Sequence, residues 1–152
     1  MRHTTQRLTA PESGLHEGSI DLVVPFTTPE MTRAAIDAAA RMGAGLNAAL
    51  RLVKIQIVPV PLDLCQSPVA MDFLKEQLSA LRPDVPAARE LRFTRDFEEG
   101  LNGMLKKDSL VVLATRRRFW KTRTERLADW LRKRGYRVVL IDHKTNREIT
   151  NA

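Results

Sequence analysis

Apolar and polar positions alternate along this chain in two periods. Five short apolar runs are separated by four stretches of helical spacing. The first run, Ile20 to Pro25, is continuously apolar except for Asp21, so both its faces are expected to be covered. Thr28-Pro29-Glu30 follows as a helix start, with a capping hydroxyl, a proline at the first helical position and an acid at the positive end of the dipole. Met31, Ala35, Ala38 and Met42 then form a narrow apolar stripe, and Gly43 and Gly45 end the helix. The second run, Leu52 to Val60, has a β-branched core in which Lys54 and Gln56 alternate with apolar neighbours. After a loop, Ser67-Pro68 repeats the cap-plus-proline start, and Leu74, Leu78 and Leu81 line a second helix stopped by Pro83 and Pro86.

The third run, Arg89 to Thr94, alternates polar and apolar residues as an exposed edge strand does. Asp96 is placed to cap a third helix with Phe97, Leu101, Met104 and Leu105 on its apolar face. Its Gly100 and Gly103 suit a close approach to a sheet. Leu110 to Ala114 is the most continuously apolar run. Thr122 and Glu125 have capping-box spacing, Leu127, Trp130 and Leu131 bury one face of a fourth helix, Gly135 ends it, and Arg137 to Ile141 is the last strand.

Strands alternating with helices of this length predict an α/β fold: a doubly wound, Rossmann-like five-stranded parallel sheet with helices on both faces and right-handed crossovers. Such a sheet places ligands beyond the carboxyl ends of its strands, where the strand order reverses. The reading divides the chain into a mobile N-terminal tail (1–18), one α/β domain (19–143) and a polar C-terminal tail (144–152).

Charge sharpens this picture. The 152 residues carry 25 Lys and Arg against 18 Asp and Glu, a formal +7. Between Arg116 and Arg137 stand ten cations and only two carboxylates, so the whole excess sits in the last crossover. A solvated helix face accounts for it, and so does a site for phosphate, nucleic acid or an acidic partner. No apolar run approaches the roughly 20 residues of a membrane helix. The opening residues lack the apolar core of a secretory signal, and Cys65 stands alone, which together suit a reducing cytoplasm.

The chemistry is sparse. His3, His16 and His143 fall in the tails or at a strand end, so no metal ligand or general base is assigned. No nucleophile elbow, P-loop or dinucleotide fingerprint occurs. Cys65 has no histidine nearby in sequence, and Glu98 and Glu99 are explained by the helix dipole. The expectation is a protein that is not an enzyme, with no catalytic residue.

The segments DLVVPFTTPE, DFEEGLNGMLKKDSLVVLATRRR and RLADWLRKRGYRVVLID, at residues 21–30, 96–118 and 126–142, resemble the first strand, the third-helix-to-fourth-strand passage and the last crossover of the universal stress protein domain. The resemblance spans Ile20 to Asp142. It implies strand order 3-2-1-4-5, a non-enzymatic stress-response or regulatory module and a homodimer paired through the Arg137–Ile141 strand. It also implies, in some members, ATP held by an aspartate after the first strand and a G-x2-G-x9-G-hydroxyl loop after the fourth. Here Thr27 stands in place of the aspartate, Ala114 and Arg117 replace the first two glycines, and Leu127-Ala128 replaces the last glycine and its hydroxyl. Glycines let backbone amides reach phosphate, whereas arginine offers its guanidinium instead.

The candidate ligand-binding set is therefore Thr27, Thr28, Thr115, Arg116, Arg117 and Arg118. It has no assigned cofactor and takes ATP, another nucleotide or a different small anion as ligand. The alternative partner is nucleic acid on the basic helix, with Phe119 and Trp120 stacking on bases. Against it stands the expectation that these two rings pack under the fourth helix.

Overall fold

The structure is a computed structural model and describes residues 4–9, 18–60, 62–64 and 69–149. In chain order it contains β1 (Thr4–Thr9), β2 (Ile20–Pro25), α1 (Pro29–Gly43), β3 (Ala48–Ile57), α2 (Met71–Ser79), β4 (Ala88–Thr94), α3 (Phe97–Met104), β5 (Leu110–Thr115), α4 (Arg123–Lys133), β6 (Arg137–Asp142) and β7 (Arg147–Glu148). The five expected strands are β2 to β6. They run parallel in the order β4-β3-β2-β5-β6, which is the doubly wound order 3-2-1-4-5.

Successive side chains of a strand face opposite sides of the sheet, and the two hydrophobic cores follow from this alternation. Leu22, Val24, Leu52, Leu91 and Phe93 face α1 and α2, whereas Val23, Val53, Val111, Leu113 and Leu140 face α3 and α4. Helix starts agree with the sequence at three of four places. Thr28 accepts the Met31 N–H, Asp96 accepts the Glu99 N–H, and Thr122 and Glu125 form a reciprocal capping box. The exception is α2. It begins at Met71 with Ala70 before it and no side-chain cap, while Ser67 and Pro68 lie outside the described residues, as does Cys65.

Two expectations about the sheet edges are corrected. Residues 4–9 are not a tail: β1 pairs antiparallel with β4, from Thr4 opposite Phe93 to Thr9 opposite Arg89. β4 is therefore an interior strand, and its polar residues have interior partners. Arg89 donates to the Leu78, Leu81 and Arg82 carbonyls at the end of α2, Glu90 pairs with Arg51, and Arg92 donates to Thr5 and to the Gly100 carbonyl. At the other edge β7 pairs antiparallel with Ile141 and Asp142, so part of the predicted C-terminal tail is also strand. β3 starts at Ala48, earlier than its apolar pattern suggested, and this brings Arg51 into the sheet.

Arg51 is the centre of a buried polar network. Its Nε and Nη2 grip both oxygens of Asp21 at 2.8 and 2.9 Å, Nη1 reaches Glu90 at 3.0 Å, and Nη2 also donates to the Met104 carbonyl at 2.8 Å. Ser109 Oγ donates to Asp21 at 2.6 Å. Burial pushes the Asp21 carboxyl up. The hydrogen bonds from Arg51 and Ser109 more than offset this and hold it below the usual carboxylate range. The one polar residue in the first apolar run thus joins three adjacent strands and the end of α3.

The two glycines of α3 meet β4 differently. A Cβ at Gly100 would stand 2.6 Å from the Cγ2 of buried Thr94, whereas one at Gly103 would meet the end of the Arg92 side chain. Gly100→Ala is expected to cost about 1–3 kcal/mol through overpacking, despite a better helix propensity. Gly103→Ala is expected to cost less than Gly100→Ala, because a guanidinium can swing aside, giving up its bond to the Gly100 carbonyl, where a threonine methyl cannot move. Urea unfolding midpoints of the two variants check this contrast, and equal losses would refute it.

Candidate functional site

β2 ends at Pro25, but the chain continues its ladder for one residue, with Phe26 N–H donating to the Val53 carbonyl at 2.8 Å. Thr27 then donates its N–H to Thr32 Oγ1 at 3.0 Å, and the Thr28 hydroxyl is occupied as the α1 cap. On the other side of the sheet, the first residues of α3 and the first two turns of α4 stand over this point. Between them lies a cleft of about 590 Å³, lined by Phe26, Thr27, Thr28, Lys54, Ile55, Phe97, Glu98, Arg123, Thr124, Arg126, Leu127 and Trp130. That volume lies within the ordinary range for small-molecule sites. Its position is the one the fold class predicts: beyond the carboxyl ends of β2 and β3, beside the reversal between β2 and β5.

The cleft is electropositive. Lys54, Arg123 and Arg126 line it against the single carboxylate of Glu98, and the positive dipole ends of α3 and α4 border it. Lys54 is 9% exposed. Its ammonium lies 3.6 Å from the centroid of the Phe26 ring, a cation–π contact, and it makes no hydrogen bond or ion pair among the described residues. Burial lowers its pKa below the usual lysine range. The arrangement offers a desolvated cation without an ion-pair partner among the described residues, two exposed guanidinium groups and the Thr27 hydroxyl, which together suit an anion.

The six residues picked out by sequence do not share one pocket. Thr27 and Thr28 line the cleft. Thr115 is buried, and its hydroxyl lies 2.8 Å from that of Thr122, tying the end of β5 to the start of α4. Arg116 turns toward α1, where it pairs with Glu30 at 2.8 Å, and Glu30 also lies 2.9 Å from His143 Nε2. Arg117 and Arg118 are exposed and make no ion pair among the described residues. The cations that line the cleft come from β3 and α4 instead. Lys54 was legible as a lysine inside a β-branched run. The facing of Arg123 and Arg126 depends on where α4 lands and carries no sequence signal of its own.

The expectation for Phe119 and Trp120 is corrected. Neither packs under α4: Phe119 is 94% exposed and Trp120 77%, and the two rings meet edge to face with centroids 5.4 Å apart. The Thr115–Thr122 bridge explains this. It closes the base of the loop so that the intervening residues point away from the core.

Among the described residues no three His, Cys, Asp or Glu side chains converge as metal ligands, and no helix is long and apolar enough to cross a membrane. His3 and His16 lie outside the described residues. No family model matches the sequence, and a search of curated proteins finds none similar to it.

Proposed function

We propose that this chain is a non-enzymatic binding or regulatory module of the universal stress protein kind, and that it holds a small anionic ligand of the nucleotide class in the cleft between α3 and α4. The observation that carries the reading is Lys54, a buried cation that lines the cleft and makes no ion pair among the described residues. A cation kept out of water without a counter-charge is costly, and a bound phosphate or carboxylate would relieve that cost. Arg123 and Arg126 add charge-assisted donors of the kind that bind phosphate well. In the related domains glycines serve phosphate through the backbone; in this reading side-chain cations replace them.

Isothermal titration with ATP, AMP and cyclic dinucleotides tests the proposal. Heat that saturates with at least one of them is the expected result, and no heat with any of them sinks it.

The reading includes a homodimer paired through the Arg137–Ile141 edge. β7 covers only the Ile141 and Asp142 end of β6, so Arg137 to Val139 keep a free strand edge among the described residues. Light scattering after size exclusion is expected to return twice the chain mass, and a proline at Val138, whose backbone faces the open edge as that of Leu140 faces β7, should shift it to the monomer. A monomer from the unsubstituted chain removes this part of the reading.

A further inference from the structure

The loop from Arg116 to Lys121 combines two features that the cleft does not explain. The first is the exposed aromatic pair: two adjacent rings leave a large apolar surface in water, where burial is the usual fate of such side chains. The second is surplus positive charge whose neighbouring carboxylates on α1 and α4 are already committed. Glu30 is held by Arg116, Glu125 closes the capping box, and Asp129 pairs with Lys121 and Arg132. Arg117, Arg118, Arg123 and Arg126 consequently make no ion pair among the described residues.

We propose that this loop and the first turns of α4 bind single-stranded nucleic acid. Phe119 and Trp120 stack on bases, and the four arginines take the phosphates of the strand as it passes from the loop to α4. Stacking demands bases that are already unpaired, which a duplex does not present. The edge-to-face arrangement leaves each ring a face that the other does not cover. An anionic bilayer offers the same charge, but Arg123 and Arg126 line the wall of a cleft, a concave surface that a flexible strand can follow and a flat membrane would bridge. The inference goes beyond the small-ligand reading: it shares Arg123 and Arg126 with the cleft, but it is carried by the exposed loop and does not use Lys54.

Fluorescence anisotropy of labelled oligouridylate and oligothymidylate, titrated with the full chain across a salt series, tests it. The expected result is saturable binding whose affinity falls with salt, with a log–log slope of about −0.7 per phosphate neutralised. The double variant Phe119→Ala/Trp120→Ala should bind about fivefold or more weaker per ring removed, with an unchanged thermal midpoint because neither ring is packed. Arg117→Ala/Arg118→Ala should flatten the salt slope by about 0.7 for each lost phosphate contact. Lys107→Ala, which removes an exposed cation at the opposite end of β5 from the loop, should leave oligonucleotide binding intact.

The proposal is overturned if neither oligonucleotide binds, or if the aromatic double variant binds as tightly as the parent. It is equally overturned if that variant loses only co-sedimentation with phosphatidylserine vesicles, which would assign the loop to a membrane surface.

Discussion

Replacing Arg51 by methionine is expected to lower the unfolding free energy by about 3–5 kcal/mol, because it leaves two buried carboxylates, Asp21 and Glu90, without their shared cation. Methionine keeps most of the buried stem, so the loss reports the charge rather than a cavity. The companion measurement is the pH dependence. In the parent chain the Asp21 carboxyl is held below its unfolded value near 4. The unfolded state therefore binds more protons, and the stability from Asp21 is present above about pH 4 and lost as the pH falls through the folded value.

Without Arg51, burial becomes the dominant influence on Asp21 and raises its folded pKa. The sign then reverses: this group's contribution is greatest below about pH 4 and is lost as the pH rises. Urea unfolding followed between acid and neutral pH should show the stability gap between the two proteins widening as the pH rises. Parallel slopes would mean that Asp21 does not depend on Arg51. Adding Asp21→Asn to the variant should recover part of the loss at neutral pH, since a neutral amide is cheaper to bury than an unpaired carboxylate.

The second large effect concerns Lys54. Lys54→Met is expected to weaken binding of an anionic ligand in the cleft by about 1.5–3 kcal/mol, the worth of a hydrogen bond to a charged group, and at the same time to stabilise the unliganded protein. The opposed directions distinguish a binding residue from a structural one, whose removal would weaken both. The pH behaviour follows from the same burial. The folded pKa lies below the unfolded value of about 10.4, so the unfolded state binds more protons between the two values and stability rises with pH across that window. Ligand affinity should fall across the same window as the ammonium loses its proton. Calorimetric titrations at neutral and alkaline pH, beside thermal unfolding of the free protein, measure both. A variant that binds unchanged would show that the ligand does not meet Lys54.

Much of the architecture was readable in the residues because it rests on local rules. Period-two and helical spacing placed the parallel strands and their helices, and the Thr28, Asp96 and Thr122 caps are set by side chains within three positions of the amides they serve. The errors came where a local pattern had a non-local partner. Arg89, Glu90 and Arg92 look like the solvent face of an edge strand. Each is instead matched by a group far off in sequence: the end of α2, Arg51 and Thr5. Residues 4–9 show no strand pattern strong enough to stand without β4 beside them.

The site divided in the same way. Thr27 and Thr28 line the cleft because they follow a strand end, a position the fold class itself makes important. Lys54, Arg123 and Arg126 come together only through tertiary packing. Phe119 and Trp120 were misjudged because apolar side chains are presumed buried. Nothing local announces the hydroxyl bridge that turns their loop outward.

The pairing of β1 with β4 has a consequence in time. Thr5 and Arg92 touch across 87 residues of sequence, so β1 leaves the ribosome with no place in the sheet until β4 has been made. At synthesis rates of roughly 5–20 residues per second, β1 waits for several seconds with its ladder groups unpaired while β2, α1 and β3 emerge. The sheet therefore cannot be completed in the order in which it is written. β1, at one edge, is made before β2, β3 and β4 and takes its place only after the last of them.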